Sequence, residues 1–164
     1  MPERTPSQTV GPYLTIGLVG RIGPELVPGG PVRVHGWVLD GAGDPVPDAL
    51  VEIWQADADG SYREGHFGRS DTRDGGRFEF VTVRPRVGDG QAPHLEISVF
   101  ARGLLKRVVT RMYFPEDLAN GTDRVLARVP EERRSTLVAV PEEDGSLRFD
   151  IRLQGEGETV FFEL

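Results

Sequence analysis

Short stretches of alternating apolar and polar residues recur along this chain of 164 residues. The clearest stretch is 147–153, where every second residue is apolar and the residues between are charged. A period of two places the apolar side chains on one face of a strand, so each such stretch predicts a half-buried β-strand. Further strands are predicted in the same way at 32–39, 49–55, 77–83, 95–100, 105–114 and 160–164.

The segments between these stretches carry glycine, aspartate and proline, the residues that turns favour. The fold class predicted is therefore all-β, a single antiparallel β-sandwich of about seven or eight strands. Helix is scarce, and one or two short helices are expected, at 130–134 and 115–120. Residues 1–30 alternate little and are rich in glycine and proline. They predict an extended N-terminal arm that lies on another surface, ahead of a sandwich domain at 31–164.

The composition excludes or disfavours several classes of partner and of catalytic site. The chain has 26 acidic and 19 basic residues, a net charge of −7, which disfavours nucleic acid and anionic membrane surfaces as partners. It has no cysteine, which excludes disulfides, cysteine nucleophiles and cysteine-ligated metal sites. The N-terminal residues do not look like a signal peptide, and no stretch is apolar for long enough to cross a membrane. We therefore expect a cytoplasmic protein.

One pair of side chains has the pattern of a metal site. His94 and Glu96 are separated by one residue in a predicted strand and so share a face. A histidine and a carboxylate are two of the three ligands of a non-haem iron site, whose third ligand would be His35 or His66, the other histidines. An ordinary polar sheet face with a hydrogen-bonded histidine fits the spacing as well, so both interpretations stay open.

Longer motifs are more specific. Residues 36–40 (GWVLD) and 43–57 (GDPVPDALVEIWQAD), followed by 93–103 (PHLEISVFARG) and 110–114 (TRMYF), resemble the signature of the intradiol ring-cleavage dioxygenases in order and spacing. The opening 5–13 and the ending 148–162 are similar to the alpha chains of the family members that are built from alpha and beta subunits. The resemblance covers nearly the whole chain and is weakest at 15–30.

The resemblance implies a function for the assembled complex. Such enzymes use O2 to cleave 3,4-dihydroxybenzoate between its hydroxyl-bearing carbons. The product is 3-carboxy-cis,cis-muconate, in the beta-ketoadipate pathway of aromatic catabolism. The partners implied are a homologous beta subunit, in a higher oligomer of alpha–beta protomers, together with 3,4-dihydroxybenzoate and O2. The chain alone is expected to be inactive and to hold no catalytic residue of its own.

The family's metal ligands are only partly present. Its active members bind Fe(III) with two tyrosines and two histidines. Tyr62 and His94 match one of each, but Glu96 stands where the second histidine is expected, and 86–93 contains no tyrosine. The resemblance therefore implies a vestigial metal site at Tyr62, His94 and Glu96, with no metal in this chain and the Fe(III) cofactor held by the beta subunit.

The residues that the resemblance assigns to substrate binding are Thr9, Gly11, Pro12, Tyr13 and Arg102. A glycine–proline turn allows rigid backbone to approach a flat aromatic ring closely. An arginine at the rim offers paired donors to a carboxylate. Two alternatives remain: a self-sufficient iron oxygenase that uses His94 and Glu96, and a non-catalytic β-sandwich binding module.

Overall fold

The computed structural model of the chain describes residues 4–11, 13–18, 20, 22–57, 59–62, 66–86 and 90–163. The strands are β1 Val32–Leu39, β2 Leu50–Gln55, β3 His66–Asp71, β4 Arg77–Thr82, β5 His94–Phe100, β6 Val108–Tyr113, β7 Val140–Pro141, β8 Leu147–Arg148 and β9 Ile151–Arg152. One α-helix, α1, spans Tyr13–Leu18, and three 3₁₀ helices span Leu118–Thr122, Leu126–Arg128 and Glu131–Leu137.

Two sheets form the layers of a sandwich. The first has the order β4-β1-β8-β7, with β9 also paired to β1, and the second has the order β3-β2-β5-β6. The alternating residues of both sheets meet in one core, with Phe78 and Phe80 from the first and Ile53, Ile97 and Met112 from the second. This burial of every second side chain confirms the predicted β-sandwich. Among the described residues, no helix is long and apolar enough to span a membrane.

A second, smaller cluster lies where β6 ends. Tyr113 is fully buried there against Leu126 and Leu137, which come from the 3₁₀ helices. The helices predicted at 130–134 and 115–120 are found as the 3₁₀ helices Glu131–Leu137 and Leu118–Thr122. They close one end of the sandwich, next to the first residues of β5.

Several predicted elements differ from the structure. The stretch 147–153 is two short strands, because at the break the N–H of Trp37 bonds the Asp150 carboxylate at 3.2 Å. These strands pair parallel to β1, so the first sheet is mixed where a purely antiparallel one was predicted. The strand predicted at 160–164 is absent from 160–163, although the N–H of Phe162 donates to the Val109 carbonyl at 2.8 Å. Residue 164 lies outside the described residues.

Four elements were not predicted at all: β3, β7, the helix α1 and the 3₁₀ helix Leu126–Arg128. β3 was missed because its only large apolar residue is Phe67. The arm contains the helix α1, and its residues 23–27 bond their own domain: Gly23 accepts from the N–H of Arg69, and Leu26 donates to Val81.

The strand predicted at 105–114 begins only at Val108, because 101–107 forms a loop. That loop carries Arg102.

Gly36 marks the closest approach between β1 and the residues that join β8 to β9, which run beside it. A Cβ added at Gly36 would lie 1.9 Å from the Phe149 carbonyl oxygen, so the backbone has to shift to accept it. We expect Gly36→Ala to lower the free energy of unfolding by about 2–3 kcal/mol, measured by thermal or urea unfolding. Gly121→Ala is the matched control, because a Cβ there has nothing within 4 Å. Equal stability of the two variants would contradict this packing.

Candidate functional site

The predicted substrate-binding residues lie in two segments far apart in the sequence, and the structure brings them together. The N–H of Gly103 donates to the Thr9 hydroxyl at 2.8 Å, a bond between residues 94 positions apart. Gly103 has a φ of +88°, a conformation that glycine adopts readily, directly after β5 and Arg102. The turn that carries Arg102 is therefore fastened to the arm by its neighbour.

Arg102 itself is anchored on one side and open on the other. Its Nε lies 2.8 Å from Oδ2 of Asp48, which precedes β2, while 74% of its side chain is exposed. An arginine held in this way keeps its charge and much of its planar fork accessible. The geometry suits the recognition of an anionic group supplied from outside the chain.

The remaining predicted substrate-binding residues follow Thr9 along the arm. The Gly11 carbonyl accepts from the N–H of Leu14 at 3.1 Å, which starts α1, and nothing lies within 4 Å of a Cβ added at Gly11. Tyr13 is the first residue of α1 and is 81% exposed. Pro12 lies outside the described residues. The structure thus places Thr9 beside Arg102 and leaves Tyr13 open to solvent.

A second group forms around His94, the first residue of β5. Only 5% of His94 is exposed, and its Nδ1 donates to the Ala92 carbonyl at 2.7 Å. Its Nε2 has no hydrogen-bond partner among the described residues. His94 lines a cavity of about 90 Å³ together with Tyr62 and Gln91. We call Tyr62, Gln91, His94 and Glu96, with this cavity, the remnant site.

Glu96 is paired across the sheet with Arg111. The two residues face each other in the register of β5 and β6, and Nη2 of Arg111 donates to Oε1 of Glu96 at 3.0 Å. The same carboxylate oxygen lies 3.8 Å from Nε2 of His94. His94 and then Arg111 hold the pKa of Glu96 below its ordinary value, although partial burial opposes this. Glu96 is therefore an ionised partner of Arg111.

The tyrosines nearby remain protonated. Burial, followed by the charge of Glu96, raises the pKa of Tyr62, and Arg111 opposes the shift. Burial raises the pKa of Tyr113 to about 12, and its hydroxyl donates to Asp123 at 3.1 Å. Fe(III) is a hard ion that favours anionic oxygen ligands. Tyr62 would therefore have to lose its proton on binding such an ion.

These side chains do not fit an Fe(III) ion. Among the described residues, no group of three or more His, Cys, Asp or Glu side chains is arranged to hold a metal. His35 lies in the other sheet and bonds Glu142 at 2.8 Å, and His66 begins β3 opposite Gln55. Neither histidine lines the cavity at His94. The structure thus does not assemble the triad of the self-sufficient iron hypothesis.

The sequence reasoning missed three residues of these sites: Asp48, which holds Arg102, and Arg111 and Gln91, which bond each other at 2.6 Å in the remnant site. Arg111 lies within the quoted TRMYF motif, but its contact with Glu96 depends on the register of β5 against β6. Asp48 precedes a strand as an ordinary turn residue does. No signal in the sequence distinguished it.

Comparisons with known proteins show the family of this chain. A family model described as Dioxygenase matches residues 19–87. The chain is 41% identical to the protocatechuate 3,4-dioxygenase alpha chain of Pseudomonas putida, with 99% of this chain and 97% of that protein covered. It is 37% identical to the alpha chain from Burkholderia cepacia, at 99% and 98% coverage. The beta chain from Burkholderia cepacia is 34% identical, over 78% of this chain and 66% of that protein.

The solved structures support the same fold. The dioxygenase domain of a dioxygenase carbohydrate-binding protein fusion from Streptomyces sp. SirexAA-E superposes with a TM-score of 0.68 at 28% identity, covering 93% of this chain and 99% of that one. Catechol 1,2-dioxygenase from Acinetobacter sp. ADP1 gives 0.61 at 19% identity, covering 81% and 56%, a likeness of fold. The chain belongs to the intradiol ring-cleavage dioxygenases, among the alpha chains of protocatechuate 3,4-dioxygenase.

Proposed function

We propose that this chain completes the substrate pocket around an Fe(III) ion, and that a homologous beta subunit holds this ion. The complex would cleave 3,4-dihydroxybenzoate between its hydroxyl-bearing carbons. Both atoms of O2 enter the product, 3-carboxy-cis,cis-muconate, as the carbon–carbon bond breaks to give two carboxylates. This reaction would serve the beta-ketoadipate pathway of aromatic catabolism, and the acidic, cysteine-free composition supports a cytoplasmic setting.

The observation that carries the proposal is the junction of the arm with the turn of Arg102. The Thr9–Gly103 bond places the start of the arm beside an arginine that is anchored by Asp48 and largely exposed. An exposed guanidinium can hold the carboxylate of a dihydroxybenzoate through charge-assisted hydrogen bonds. The chain thereby contributes a group that recognises the substrate, and the metal chemistry stays with the partner.

The arm also supplies the apolar surface expected of an interface. Tyr13 and Ile16, both in α1, are 81% and 65% exposed. Large apolar side chains exposed together on a short helix favour a protein partner. Within residues 1–30, the part ahead of residues 23–27, which bond their own domain, is the part for which we propose the beta subunit as partner, with Gly11, Pro12 and Tyr13 at the edge of its pocket.

Reconstitution tests this function. We expect O2 consumption with 3,4-dihydroxybenzoate only when this chain and the beta subunit encoded with it are combined. Each chain should be measured alone at the same concentration, after addition of Fe(II) and air oxidation. Turnover by this chain alone would contradict the proposal, because it would place the iron here. A beta subunit alone as active as the pair would contradict it as well, because this chain would then add nothing to the pocket.

A further inference from the structure

The remnant site already holds a cation of its own. We propose that the Arg111 guanidinium takes the place of the metal ion in this chain and excludes metal ions from the remnant site. The inference goes beyond the proposed function, since it concerns only contacts inside this chain. It does not depend on which substrate the complex cleaves.

Arg111 contacts the one replaced ligand position, Glu96, and the segment 86–93, in which the second tyrosine is missing. Nη2 donates to Glu96, which stands at the place of the second histidine, at 3.0 Å. Nη1 donates to Gln91 at 2.6 Å, within the segment that lacks the second tyrosine. The side chain is 16% exposed, so the charge lies in largely buried surroundings. The guanidinium therefore bridges the residue at one replaced ligand position and the segment that lacks the other ligand.

The electrostatics explain why this arrangement excludes a metal. Arg111 neutralises Glu96, the one carboxylate of the remnant site, so no net negative charge remains to attract a cation. A metal ion would also lie close to the fixed positive charge of a guanidinium that is only 16% exposed, and like charges repel more strongly there than in bulk water. The loss of ligands and the presence of the arginine are thus two separate barriers.

One retained ligand still has its metal-binding atom available. Nδ1 of His94 donates to the Ala92 carbonyl, which fixes the ring, while the buried Nε2 has no partner among the described residues. A carbonyl that accepts from the other ring nitrogen is the usual support of a metal-binding histidine. Tyr62 lines the same cavity. The missing parts are a second imidazole and the removal of the Arg111 charge, whereas Arg86, which also lines the cavity, is the same in every variant compared.

Restoring both parts should restore metal binding. In the full chain, Glu96→His combined with Arg111→Gln is expected to bind about one Zn²⁺, since two imidazoles completed by water give it nitrogen and oxygen ligands. Its Zn²⁺ affinity should exceed that of Glu96→His alone by tenfold or more, on the order expected from removing a like charge. Zinc is measured by equilibrium dialysis and elemental analysis. The double variant should also gain thermal stability on adding Zn²⁺.

Two controls separate the charge from other effects. Glu96→His with Arg111→Lys keeps a cation and should bind no better than Glu96→His alone. Glu52→His with Arg69→Gln alters a similar ion pair on the same sheet, with side chains 17% and 18% exposed, and should gain no tight site. The inference is overturned if Glu96→His alone binds as tightly as the double variant. It is also overturned if the double variant binds no more Zn²⁺ than the wild type, or no more tightly than either control.

Discussion

Replacing Arg102 by alanine in the alpha–beta complex is expected to lower kcat/KM for 3,4-dihydroxybenzoate about tenfold to a hundredfold. This corresponds to the loss of one charge-assisted contact of about 1.5–3 kcal/mol. The loss should be selective, because catechol has no carboxylate and should lose much less. The iron content should not change. Arg102→Lys should recover only part of the rate, since a point charge does not reproduce the planar fork.

The matched control for this experiment is Lys106→Ala. Lys106 is an exposed cation in the same loop, so its removal changes the net charge by the same amount. A contact at Arg102 predicts a much smaller effect from Lys106→Ala at one fixed ionic strength. Equal losses for the two substrates with Arg102→Ala would show that the residue shapes the pocket without reading the carboxylate. Equal losses of kcat/KM for Arg102→Ala and Lys106→Ala would mean that Arg102 acts only through the general electrostatic field of its positive charge.

The largest expected effect on stability comes from Asp123. Its carboxylate is fully buried and accepts the N–H groups of Ala92, Val125 and Leu126 at 2.7–2.8 Å, together with the Tyr113 hydroxyl. Asp123→Ala leaves these donors buried without a partner. We expect it to lower the free energy of unfolding by about 3–5 kcal/mol, measured by urea unfolding.

The control for Asp123 is Asp117, which accepts from the N–H of Ala119 and from Arg84 in a more open place. Asp117→Ala should cost about 1 kcal/mol, as for an ordinary cap. A similar loss from both variants would contradict the account of Asp123. Such a result would mean that the network around Ala92 is not held by this carboxylate.

Asp123 also predicts a pH dependence. Burial alone would raise its pKa, but the backbone N–H groups and Tyr113 outweigh it and hold the pKa below the ordinary value. A folded-state pKa below the unfolded one gives stability that is complete above the ordinary aspartate pKa and is lost as the pH falls through the folded value. Asp123→Asn should therefore flatten the loss of stability in acid. An unchanged acid profile would contradict this assignment.

The sequence predicted the fold where alternation was strong. The bounds of β1 agree with the prediction, and β5 differs by one residue, because every second side chain in them enters the core. β3 was not predicted because one of its faces carries polar side chains that pair with the neighbouring strand, such as Arg69 with Glu52. Its apolar residues therefore do not alternate with polar ones in a detectable pattern. The stretch 147–153 alternates as a strand does, but its pairing with β1 is interrupted where the Asp150 carboxylate accepts a hydrogen bond from the N–H of Trp37.

The candidate site residues were predicted from the resemblance and not from the pattern of apolar and polar positions. Thr9 and Arg102 belong to motifs far apart in the chain, and only the folded turn at Gly103 shows that they adjoin. The role of Arg111 depends on its being opposite Glu96 in the next strand. Register of this kind is set by the three-dimensional packing of β5 and β6, so no spacing along the chain reveals it.

The position of the iron tests the central claim most directly. Iron should be counted in the purified alpha–beta complex, in the same complex carrying His94→Ala in this chain, and in this chain alone. We expect a single iron per alpha–beta pair in both complexes, with unchanged visible absorption, and a colourless chain without iron when it is alone. Two irons per pair would contradict the account, and so would the loss of iron from a folded complex that carries His94→Ala.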